Sequence, residues 1–139
     1  MRLYLTISLL LTLVHTAWAD TTNRAKQFSP VPGIFVGGVG LECTSNPSNI
    51  LEFLLLTKDR QKVGLAVFEN DDVTYDFLAI TKTTPRTYIA EQENTEVVLD
   101  RQSLKLTMEQ DYKCVVMSIS DLHNAAKDFL RTLLSENKI

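Results

Sequence analysis

Few side chains in this sequence are suited to chemistry, and they lie far apart. Cys43 and Cys114 are 71 positions from each other. A thiol pair built for redox work would sit in a Cys-x-x-Cys turn, and this pair does not. A zinc site takes three or four ligands, and His123 is the only histidine outside the N-terminal segment. No metal or cofactor is therefore expected. One structural disulfide, Cys43 to Cys114, is the ordinary use of such a pair in an exported chain. Closing so long a loop is worth up to about 4 kcal/mol in the chain-entropy account.

His123 follows Ser120 and Asp121. Helix neighbours one or two positions apart do not face each other, so these three are no preassembled triad. A solvent-exposed histidine at a helix start is the expectation. The carboxylates form two groups in sequence, Glu91, Glu93 and Glu96, and Glu69, Asp71 and Asp72. A hydrolase would need two carboxyls at a set separation in a cleft, whereas both groups fall at turns, where acids are normally solvated. The second group lacks the ligand spacing and the closing Glu of an EF-hand loop. Gly33 to Gly40 is glycine-rich. It has neither the Lys-Ser/Thr of a phosphate loop nor the GxGxxG spacing. Phe53, Phe68, Tyr75, Phe77 and Tyr88 are the candidate lining of a small apolar cavity, with plain core packing as the alternative reading.

These residues must be positioned by what surrounds them. Met1 and Arg2 open the chain, Leu3 to Val14 is almost wholly apolar, and Ala17-Trp18-Ala19 follows. Residues 1–19 thus read as a secretion signal cut before Asp20. The apolar run is far shorter than the roughly twenty residues a membrane span needs, so no transmembrane segment is expected. Without Arg2, 13 Lys and Arg face 17 Asp and Glu. That acidic balance argues against a nucleic-acid partner. Residues 20–33, with Pro30 and Pro32, read as a flexible or extended lead-in to a single domain over 34–139.

Within that domain, turn-forming clusters recur every 8 to 12 residues, the mark of an antiparallel all-β fold. A first strand is expected over Ile34–Cys43 with a bend at Gly37-Gly38. Short strands follow over 50–56, 63–68, 73–80, 87–91 and 96–99. Leu104, Leu106 and Met108 alternate with polar residues, and Tyr112–Ile119 closes the series. Leu122, Ala125, Ala126, Phe129, Leu130, Leu133 and Leu134 recur at helical spacing, which predicts an amphipathic helix over 120–136 capped by Ser120. The fold class is therefore mainly β: an antiparallel meander of about seven or eight strands, as a small barrel or sandwich, with a C-terminal helix packed on it. Because bridged cysteines must bring their Cα atoms within about 7 Å, the first and last strands must approach each other.

The segment Leu99 to Thr107, followed by Tyr112-Lys113-Cys114, is similar to the last hairpin of many short exported bacterial proteins, in which a Cys-bearing strand ends the sheet. Periplasmic inhibitors of c-type lysozyme are also small disulfide-bearing barrels. The Ser-Gly-rich loop ending in Tyr that serves their inhibition has no counterpart here, so no residue role carries over.

Taken together, the residues point to an exported, non-enzymatic binding module, an inhibitor or envelope accessory factor, periplasmic or secreted. Its partner would be a protein or a small apolar ligand. The alternatives are a lipocalin-like carrier of an apolar ligand and a carboxylate-dependent hydrolase.

Overall fold

A computed structural model describes residues 27–137. Residues 1–19, read above as a secretion signal, and the first part of the expected lead-in, 20–26, lie outside the described residues. Eight antiparallel strands run in chain order and close into a barrel. They are β1 Val39–Ser45, β2 Leu51–Leu56, β3 Lys62–Glu69, β4 Asp72–Thr83, β5 Thr87–Gln92, β6 Thr95–Asp100, β7 Lys105–Thr107 and β8 Asp111–Met117. Helix α1, Ile119–Glu136, completes the described chain. No helix among the described residues is long and apolar enough to cross a membrane.

The seam of the barrel is the antiparallel pairing of β1 with β8, in which Cys43 and Cys114 are direct cross-strand partners. Their sulfurs are bonded and their Cα atoms lie 4.0 Å apart. The expected approach of first and last strands is thus a shared ladder, which makes the sheet a barrel rather than a sandwich. Closure leaves no sheet edge to template further pairing.

Alternation along the strands divides the apolar residues between two cores. Leu41, Leu54, Leu56, Leu78, Val97 and Leu106 meet inside the barrel with the disulfide. Phe53, Leu55, Val73 and Tyr75 face outward and are covered by Leu122, Ala126 and Leu130 of α1. An eight-stranded barrel is just wide enough for side chains to fill, and here they fill it.

Tight turns follow the composition. Asn70 and Asp71 both adopt positive φ, 53° and 55°, between the paired residues Glu69 and Asp72. That is the primed two-residue turn whose twist matches a hairpin, and Asn and Asp tolerate it best after glycine.

Two expectations need correcting. Residues 34–38 are not strand. Gly33–Phe35 forms a single 3-10 turn, and Gly37 has φ of +78°. The departure lets the Phe35 ring lie over Gly64 of β3, where a Cβ would stand 2.6 Å from the ring. The cap of α1 is Ser118, not Ser120. Its Oγ accepts the Asp121 amide at 3.0 Å, because β8 ends at Met117 and the helix starts almost at once. The apolar stripe packs as expected, although Leu133 stays exposed.

Candidate functional site

In a meander, successive turns lie at alternate ends of the barrel. Here they also alternate in charge. The turns after β3, β5 and β7 lie at one end and are acidic. The first brings Glu69, Asp71 and Asp72, the second Glu91, Glu93 and Glu96, and the third Glu109 and Asp111. The turns themselves contain no Lys or Arg, and Lys105 of β7 reaches this end to pair with Asp111. The turns after β2, β4 and β6 lie at the other end. They carry Lys58, Arg60, Lys62, Lys82, Arg86 and Arg101, against Asp59 and Asp100.

The acidic end opens into a funnel of about 460 Å³ lined by Glu52, Asn94, Thr95, Glu96, Met108, Glu109 and Tyr112. Glu52 alternates along β2 with the inward Leu54 and Leu56, so it enters the mouth of the barrel. Partial burial raises its carboxyl pKa above the usual carboxylate value, and the nearby charge of Glu109 adds to the rise. Burial, with Glu52 and Glu109 beside it, also raises Tyr112. On the rim, Glu91 and Glu96 face each other across β5 and β6. Like charges directly opposite in a sheet cost stability. Two pairs of carboxylates are thus brought together at this end, Glu52 with Glu109 and Glu91 with Glu96. Other acids here have partners: Asp111 pairs with Lys105 at 3.1 Å, and Asp72 accepts the Ser29 amide at 3.0 Å and the Ser29 hydroxyl.

At the basic end, a pocket of about 540 Å³ is lined by Ile34, Thr57, Lys58, Asp59, Gln61 and Lys62. Asp100 accepts two backbone amides, from Ser103 and Gln102, and the Arg86 guanidinium at 2.8 Å, which holds its carboxyl far below the usual range. Arg101 lies over the Tyr88 ring, 4.5 Å from its centre.

The five aromatic residues read as a cavity lining do not converge. Tyr88 alone belongs to the interior core. Phe53 and Tyr75, with Phe68 against them, belong to the outer core beneath α1, and Phe53, Phe68 and Phe129 form a triad of rings 5.4–6.1 Å apart. Phe77 is 42% exposed, on the outer surface beside Phe35. A strand apolar on both faces gave no sign of which face would be inside.

His123 overturns its expectation of exposure. It is 6% exposed. Its Nδ1 lies 2.7 Å from the Tyr75 hydroxyl and its Nε2 lies 3.0 Å from the Ser29 carbonyl. It is a tie between helix, sheet and lead-in. The second part of the lead-in is therefore fastened at Ser29 from both sides. Among the described residues, no three His, Cys, Asp or Glu side chains gather as a metal site would require.

Sequence reasoning missed the charged poles. Their signal was present: turn charge alternates along the chain, and in a meander alternate turns share an end. No family model, curated protein or solved structure matches this chain.

Proposed function

We propose that this protein is an exported, non-enzymatic binding module that takes a basic protein partner at the acidic end of its barrel, as an inhibitor or envelope accessory factor would. The observation that carries the reading is the pairing of like charges there. Glu109 adds to the burial that raises the Glu52 carboxyl, Glu91 faces Glu96 across the ladder, and a bound cation would offset both concentrations of like charge. Opposite charge also steers encounter and raises association rates at low salt. The interior supports a surface function rather than a carrier, since leucine, valine and tyrosine side chains occupy it. The disulfide and the signal-like N-terminus support export.

The test is binding to a c-type lysozyme as a basic probe, with serum albumin as an acidic control, and a pull-down from envelope extract. Binding should weaken steeply with salt. Glu91→Lys combined with Glu96→Lys should weaken it at least about ten-fold, as expected when like charges are brought together across an interface. Glu52→Gln should weaken it less. Capture of no basic protein, or capture indifferent to these changes, refutes the proposal.

A further inference from the structure

The basic end carries a second surface, distinct from the acidic funnel. Val36 is 76% exposed and Ile34 is 48% exposed. Both sit in or beside the 3-10 turn that precedes β1. This turn is tied to the basic hairpin turn between β2 and β3. Ile34 shares a pocket with Lys58 and Lys62, and a Cβ on Gly37 would stand 3.1 Å from the Lys58 side chain. Two exposed aliphatic side chains thus lie in a turn that sits beside the ammonium groups of Lys58 and Lys62. Lys82, Arg86 and Arg101 arrive at the same end from the β4–β5 and β6–β7 turns.

From this juxtaposition we infer that the basic end docks on an anionic lipid surface, with Val36 and Ile34 entering the headgroup region and the cations pairing with lipid phosphates. Charge complementarity selects this occupant. The end holds six cations against Asp59, Asp100 and Asp121 in the first turn of α1, whereas the opposite end is acidic and would be repelled by the same membrane. The repulsion fixes orientation, so the acidic funnel points away from the bilayer. Basic clusters are attracted to anionic leaflets within about a Debye length, and modest apolar insertion adds to that attraction. A soluble polyanion would use the same cations and would leave the two aliphatic side chains without a role.

Protein purified from an exporting host can be sedimented with vesicles of phosphatidylcholine alone and of phosphatidylcholine with phosphatidylglycerol. Any contribution from the N-terminal segment is common to all variants. The expected result is sedimentation with the anionic vesicles only, lost at high salt. Lys58→Glu with Lys62→Glu should lower the affinity by at least about twenty-fold, taking roughly five-fold for each cation removed. Ile34→Ser with Val36→Ser should lower it several-fold; both sites are exposed, and an unchanged melting curve verifies the fold. Equal binding to neutral vesicles, binding to neither, or insensitivity to either double variant overturns the inference. So does a soluble polyanion, heparin, binding as tightly as vesicles while the Ile34→Ser, Val36→Ser protein binds both as before.

Discussion

The imidazole of His123 is held in one tautomer because its two nitrogens face different partners. The Ser29 carbonyl can only accept, so Nε2 carries the hydrogen, and Nδ1 then accepts from the Tyr75 hydroxyl. Burial lowers the pKa of His123, and Lys127 adds to this, while the Ser29 contact and Asp72 oppose it. Burial raises that of Tyr75, so both groups stay neutral at pH 7. A histidine depressed in the folded state binds fewer protons than it does unfolded. Its stabilising contribution is present above the ordinary value of about 6.5 and is lost as pH falls through the folded value. His123→Gln should therefore flatten the stability profile on the acid side, as read from urea midpoints at about pH 5 and pH 7.5. Tyr75→Phe should cost about 1 kcal/mol, since it leaves Nδ1 without a donor. If the wild type and His123→Gln lose stability in parallel between those pH values, the histidine is not the sensor. None of this was legible in sequence. The neighbours Ser120, Asp121 and Asn124 are polar, and the partners lie 48 and 94 positions away.

Elements were legible where one period dominated. The helix showed through its single apolar stripe, the barrel through regular turns and a cysteine pair that forced first and last strands together. Legibility failed where a strand is apolar on both faces. In β2, Phe53 and Leu55 serve the outer core while Leu54 and Leu56 serve the inner one, and period-two reasoning has no way to rank them. It failed again at Ile34–Gly38, where glycines and apolar residues suit a strand, yet Phe35 turns aside to cover Gly64. The docking of α1 depends on a similar close approach. A Cβ on Gly40 would lie 2.3 Å from Leu122 Cβ and 3.1 Å from the Ser118 carbonyl. Backbone φ at Gly40 is not the constraint; space is. Gly40→Ala should push the first turn of α1 off the sheet and cost about 1–3 kcal/mol, as overpacking does. Denaturant melts measure the loss, and an unchanged midpoint would mean the helix shifts freely.

For the whole molecule, the question is whether barrel and helix form one cooperative unit or two. β2 answers it. Its residues alternate between the cores, with Leu54 and Leu56 inside the barrel and Phe53 and Leu55 beneath the helix. Toward the acidic end, β2 pairs with β3 only over Leu54–Leu56, and beyond that pairing Phe129 of the helix joins the rings of Phe53 and Phe68. The helix thus covers a stretch where the ladder between these strands has ended. Detaching it would expose a set of large apolar side chains on the strand that also lines the interior, and burial of each is worth roughly 1.5–3 kcal/mol. Neither core can melt without uncovering a strand of the other. Unfolding should then be a single transition, as is usual for domains of this size. Leu106→Ala in the interior and Leu122→Ala beneath the helix should each cost about 2–5 kcal/mol and shift that same transition. Far-ultraviolet circular dichroism reports helix and sheet together, while tyrosine absorbance reports Tyr88 and Tyr112 inside and Tyr75 outside. Curves from the two probes should superimpose for the wild type and for both variants. If Leu122→Ala splits them, releasing the helix at lower denaturant than the barrel, the shared strand does not couple the cores and α1 is a separately detachable element.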